Sequence, residues 1–228
     1  MLSSRDVQRK VFEAQVENCI NENERLVSLG QTTKPLFVHL REPDSVTYNS
    51  ISDSNSDVPS ALKDMIDLIQ GLGKLNTLSN SEATTFTLKN VIVHCVTSHY
   101  SVIKQLIDSG IRLGFTGYIG ISKRAEASGT ISGIRQLSDT EFAEKIMIET
   151  DAPYMRPDRK LFPENLFKLL KKNRGGYNEA ATLPITCKVL ADLLDSQVDL
   201  VAKQTTQNSI QFFKLDKADE LIASFSKK

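Results

Sequence analysis

Residues 91–151 read VIVHCVTSHYSVIKQLIDSGIRLGFTGYIGISKRAEASGTISGIRQLSDTEFAEKIMIETD, and this stretch decides the fold. Short apolar runs at 91–95, 111–115 and 145–151 fit strands, since each is a few residues long and bounded by turn or helix signals. Between the first two, Val102, Ile103, Leu106 and Ile107 recur at helical spacing, and Gly110 stands where that helix stops. Short helices are expected at 131–137 and 140–144, before the third run. Strands separated by helices imply a parallel sheet with crossover helices, because parallel neighbours need a long connection.

Working outward, residues 5–29 predict an amphipathic helix with Val7, Val11, Phe12, Val16, Cys19, Ile20 and Val27 on one face. Gly30 ends it, and Lys34-Pro35-Leu36-Phe37-Val38-His39 then predicts a strand buried on both faces. The Ser/Asn/Asp-rich segment 43–58 reads as an exposed insert loop. A helix is expected at 59–70, stopped by Gly71 and Gly73, followed by a second polar insert at 74–89. After the last strand, helices are expected near 161–172, 184–194, 197–204, 206–213 and 217–225. Pro184 suits a first helical turn, and Ser196 with Asp199 resembles a capping box. A closed barrel of eight βα units takes roughly 250 residues before insertions. The 228 residues here predict a single domain, 1–228, holding about four such units and terminal helices.

Lys and Arg total 28 and Asp and Glu total 28, so the formal net charge is zero. That excludes a broad basic nucleic-acid face and restricts any DNA contact to a local cleft. No apolar stretch is long enough to cross a bilayer, and the first ten residues carry no signal-peptide core, so a cytoplasmic or nuclear protein is expected. Cys19, Cys95 and Cys187 are odd in number and far apart, which fits reduced core thiols better than a disulfide framework.

Three strands end in a potential metal ligand: His39, His94 and Asp151. Side chains at the C-terminal ends of parallel strands converge although they are distant in sequence. A mixed imidazole and carboxylate set suits Mg²⁺, Mn²⁺ or Zn²⁺. For a single histidine the competing reading is a hydrogen-bonded structural residue. His99 reads as a residue at the start of a helix. Glu149 shares a strand face with Asp151.

Several motifs carry a resemblance. Ile148-Glu149-Thr150-Asp151-Ala152-Pro153-Tyr154, Pro35-Leu36-Phe37-Val38-His39-Leu40-Arg41-Glu42, Val93-His94-Cys95-Val96-Thr97, Leu113-Gly114-Phe115-Thr116-Gly117 and Asn178-Glu179-Ala180 with Leu183-Pro184 occur in order. Together, over about residues 5–214, they resemble the TatD deoxyribonuclease family, which implies an incomplete (β/α)₈ TIM-barrel fold. The resemblance implies a metal-dependent hydrolase of DNA phosphodiesters using one or two divalent ions. It assigns His39 and His94 to one ion. Asp151 would bind the other ion or orient and deprotonate the attacking water. Glu149 becomes either a catalytic partner or a carboxylate held in an internal salt bridge. Arg41 becomes either a phosphate holder or one side of an ion pair with Glu42 or Asp151.

There are departures. The family's opening His-x-His strand and its metal-bridging Glu have no counterpart here. Val96 stands where the family has Phe, Arg174 is split from Asn178 by Gly175, Gly176 and Tyr177, and Ala180 replaces a proline. Two-metal chemistry is therefore in question. A non-catalytic remnant that self-associates through exposed barrel edges, and a related hydrolase of amides or lactones, remain alternatives. The basic clusters 171–174 and Arg156, Arg159 and Lys160 fit either DNA-backbone contacts or solvated helix ends. Gly175-Gly176 lacks the Lys-Ser/Thr ending of a phosphate loop.

Overall fold

The computed structural model describes residues 4–41, 61–76, 86–164, 168 and 176–215. Four strands, β1 (Leu36–His39), β2 (Val91–His94), β3 (Arg112–Phe115) and β4 (Ile146–Ile148), form one parallel sheet in the order β1-β2-β3-β4. The helices are α1 (Arg5–Ser28), α2 (Ala61–Asn76), α3 (Tyr100–Asp108), α4 (Ser122–Ala127), α5 (Thr130–Ile134), α6 (Asp139–Lys145), α7 (Leu183–Leu193) and α8 (Val198–Phe213).

Strand register sorts the side chains onto two faces. Val38, Val91, Val93, Leu113, Phe115 and Ile146 are buried with Ile103, Leu106 and Leu190 in the main core beneath the helices. The other face carries Phe37, His39, Ile92, His94, Arg112, Gly114 and Met147, with Glu149 continuing the series just past β4. At the lower end of that face, Ile92 and Met147 pack against Phe212 from the end of α8, and the Arg112 guanidinium lies 4.8 Å from the Phe212 ring centroid. The upper end, where the strands finish, carries the histidines.

Buried asparagines tie helices to strands. Asn23 of α1 donates to Lys34 O at 2.9 Å and accepts from Lys34 N at 2.6 Å, just before β1. Asn208 of α8 donates to Ile146 O at 2.8 Å, at the start of β4. Each amide satisfies backbone groups that a short strand leaves unpaired. On the outside, Asp64 of α2 accepts from Arg5 and Arg9 of α1.

Several sequence expectations need correction. The buried residues of α1 are Val16, Ile20, Asn23 and Leu26, while Val7 and Val11 are exposed. At 3.6 residues per turn, Val7 lies on the opposite side of the helix from Val16. β1 is not buried on both faces: it pairs with β2 alone among the described residues, and Phe37 is 52% exposed. α2 runs through Gly71 and Gly73 to Asn76, so part of 74–89 is helical. Leu72 still packs on the core, which offsets the roughly 1 kcal/mol that a helical glycine costs. At the far end of 74–89, Phe86 and Leu88 are buried and Thr87 caps a 3₁₀ turn. The two expected helices at 197–204 and 206–213 are one, α8, and Gln197 precedes it without a side-chain cap, so Ser196 and Asp199 make no capping box. The insert 43–58 and the helix near 217–225 lie outside the described residues, as does most of the helix near 161–172.

Candidate metal centre

Parallel pairing places His39 directly beside His94 at the ends of β1 and β2. Their rings meet, with His39 Nδ1 2.8 Å from His94 Nε2. Two imidazole nitrogens that share a tetrahedral ion at about 2.0–2.1 Å sit roughly 3.3 Å apart. An opening of about half an ångström would therefore turn this hydrogen-bonded pair into two ligands of one ion. Phe37 stacks on His94 at 5.0 Å between centroids and limits its tilt.

Behind His94 stands Glu149. Its Oε1 is 3.6 Å from His94 Nδ1 and accepts the Cys95 N–H at 2.7 Å. At this distance the carboxylate faces the second ring nitrogen as a charge rather than a hydrogen-bond acceptor, while Nε2 is turned to His39. The sequence makes room for the carboxylate at Gly114: a Cβ there would stand 2.6 Å from Glu149 Oε1. Burial pushes the Glu149 carboxyl above its ordinary range, partly offset by the Cys95 N–H and His94, while the charge of Asp151 adds to the rise. Burial also pushes the Cys95 thiol up to about 11, which leaves it protonated and unreactive at neutral pH. Cys95 and Asp151, the turn-outs of β2 and β4, both take positive φ, 49° and 53°. That conformation is strained for cysteine and better tolerated by aspartate.

The loop carrying Asp151 is clasped by Asn178, which is 3% exposed. Its amide donates to Thr150 O at 2.7 Å and to Met155 O at 3.3 Å, and its backbone N–H donates to Pro153 O at 2.9 Å. Its Oδ1 accepts from Glu179 N at 3.0 Å and Thr182 Oγ1 at 2.5 Å, at the approach to α7.

The profile of the family described as TatD related DNase matches residues 2–214. The chain belongs to the TatD related DNase family. A Mycobacterium tuberculosis relative, an uncharacterized metal-dependent hydrolase TatD, is 25% identical over 185 residues, covering 81% of this chain and 51% of that protein. A 3'-5' ssDNA/RNA exonuclease TatD from Salmonella typhimurium is 30% identical over 129 residues, 57% of this chain and 44% of its own length. This TatD-family chain thus spans about half the length of the curated relatives it matches. Among solved structures, an uncharacterized amidohydrolase from Saccharomyces cerevisiae superposes with a TM-score of 0.60 at 18% identity, over 92% of this chain and 60% of that one. That likeness is one of fold. The parallel sheet with crossover helices is of the TIM-barrel type.

Within this TatD-family sheet the sequence-based candidates separate. His39 and His94 come together, and Glu149 stands behind His94 in a contact that fits either a catalytic partner or an internal ion pair. Asp151 lies near Cys95 and Glu149, since its charge acts on both. It does not complete a cluster: among the described residues no group of three or more His, Cys, Asp or Glu forms a metal cage. Arg41 is exposed just past β1, and its expected neighbour Glu42 lies outside the described residues, as does 171–174. Arg156, of the second basic cluster, lies over the Phe162 ring at 5.3 Å. His99 caps α3 by accepting from Ser101 N at 3.3 Å. Sequence reasoning placed Asn178 in a motif but missed that it clasps the Asp151 loop. The only hint was an isolated Asn-Glu pair just before a helix.

Proposed function

We propose that the chain provides a divalent-metal site, at the ends of β1 and β2, for hydrolysis of phosphodiester bonds in DNA. The carrying observation is the contact between His39 Nδ1 and His94 Nε2 at adjacent strand ends. His39 and His94 would hold the ion, with Glu149 facing the His94 ring at Nδ1. Bound there, a divalent ion supplies a Lewis acid for the phosphoryl oxygen and lowers the pKa of an attacking water. Asp151 would orient the attacking water and accept its proton, and Arg41 would hold a phosphate oxygen. Mg²⁺, Mn²⁺ and Zn²⁺ all suit such a donor set. The relatives named as metal-dependent hydrolase and as ssDNA/RNA exonuclease support this reading of the substrate. The three free cysteines favour a reducing, cytoplasmic setting. Among the described residues no helix is long and apolar enough to cross a membrane.

The test is DNA hydrolysis by the purified chain with Mg²⁺ or Mn²⁺, beside a chelator control, a His94→Ala variant and a panel of ester and lactone substrates. Cleavage of DNA that both controls abolish, by about a hundredfold or more for the variant, is the expected result. Turnover of lactones with DNA untouched would move the chain to amide or lactone chemistry.

A second reading rests on the β1 edge. β1 has a strand partner on one side only among the described residues, and Phe37 there is 52% exposed. Open parallel edges invite pairing with another strand. On this reading a second copy covers the edge, and the chain is a non-catalytic, self-associating remnant. Light scattering at increasing concentration is then expected to give a dimer that Phe37→Lys dissociates. A monomer at every concentration rules it out.

A further inference from the structure

Two large side chains stand in solvent next to the Asp151 loop: Tyr154 is 67% exposed and Tyr177 is 64% exposed. They are far apart in sequence, but the backbone segments that carry them are neighbours. Asn178 N donates to Pro153 O at 2.9 Å, and a Cβ at Gly176 would lie 3.7 Å from Arg156 Nη1. Residues 176–178 therefore run alongside 153–156, and Tyr177 falls between those two contacts, beside Tyr154.

The backbone that carries both rings is held firmly. The Asn178 amide bonds to Thr150 O and Met155 O, on either side of Tyr154. On the inner side, Gly117 and Gly120 let the 155–157 backbone approach so closely that a Cβ at Gly117 would stand 2.1 Å from Met155 O. The guanidinium of Arg156 rests over Phe162 at 5.3 Å, adding a positive charge beside the rings. Exposed aromatic rings carried side by side on a braced backbone, near a cation, are what unpaired nucleobases stack on. A paired duplex keeps its base faces covered and cannot use them.

We propose that Tyr154 and Tyr177 form a two-ring platform that stacks bases of a single strand as it enters the site. This rests on the reading of the site as one for nucleic-acid hydrolysis, and it assigns strand selection to residues outside the metal ligands. The platform acts on the base, while His39, His94 and Asp151 act on the phosphate.

The test is fluorescence anisotropy of labelled oligonucleotides in excess chelator, so that binding is read without cleavage. The probes are an oligothymidylate, a duplex of equal length, and an abasic strand of equal charge. The variants are Tyr154→Ala, Tyr177→Ala and the corresponding phenylalanines. Each alanine is expected to weaken oligothymidylate binding by about tenfold, with duplex and abasic binding unchanged. Each phenylalanine keeps the ring and is expected to bind like the native chain. Both tyrosines are exposed, so the variants should fold, which circular dichroism checks. Alanine variants that bind oligothymidylate as the native chain does would overturn the platform. So would an abasic strand bound as tightly as the thymidylate, or a native chain that binds no single strand. Cleavage is measured separately. Ring-dependent binding without hydrolysis would remove the nuclease reading and leave the platform standing.

Discussion

Glu149 has three neighbours that explain its position. Gly114 leaves the space, the Cys95 N–H supplies a hydrogen bond, and His94 Nδ1 faces the carboxylate at 3.6 Å. Burial raises its pKa above the ordinary 4.5, so the folded chain holds the proton more tightly than the unfolded chain does. The ionised carboxylate therefore lowers stability once pH rises through and above the folded value, and it has no effect below the unfolded one. Glu149→Gln is expected to raise the thermal midpoint at neutral pH, with the gain vanishing in acid. The same variant is expected to weaken metal binding by about tenfold to a hundredfold, because the His94 ring loses its orienting partner. Melting curves and metal titrations across pH check both. A variant less stable than the native chain at neutral pH would show that His94 and the Cys95 N–H outweigh the burial. At this scale much was legible. His39, His94 and Asp151 stood out as polar residues ending apolar runs. Glu149 was legible as a face-mate of Asp151, but its partner was not, because that contact crosses β3 over a glycine.

Among elements, short strands leave backbone groups that helices must satisfy, and asparagine amides meet that need at Asn23 and Asn208. Asn23→Ala leaves both backbone groups of Lys34 without their partner at a part-buried site. A loss of about 1–3 kcal/mol in denaturant unfolding is expected, since an orphaned buried group costs about 1–3 kcal/mol and water reaches part of this site. A loss below about half a kcal/mol would mean that water replaces the amide. Such residues are hard to see in a sequence. Asn23 sits at helical spacing from Ile20 and Leu26, where a reader expects another apolar residue. The same difficulty explains the misplaced face of α1, since Val7 and Val11 look like core by type and are turned away by the helical period. Gly71 and the join within α8 failed for a different reason. The stop signal at Gly71 is weaker than the packing of Leu72, and the break expected at 205 is spanned by Thr205, buried with its Oγ1 donating to Val201 O at 2.9 Å.

For the whole molecule, the alternation of strands and helices was enough to place the chain among parallel α/β folds and to bring the candidate ligands to one end of the sheet. The two faces of that sheet divide the work. One is buried under helices and carries stability. The other holds Phe212 at its lower end and the histidine pair at its upper end. Direct titration of Zn²⁺ and Mn²⁺ into the intact chain by calorimetry, with His39→Ala and His94→Ala alongside, is the measurement that bears most directly on the central claim. One ion per chain is expected, with affinity falling at least about tenfold in each variant. Equal affinity in the native chain and both variants would mean that the paired histidines are a structural contact and that the metal centre is not there.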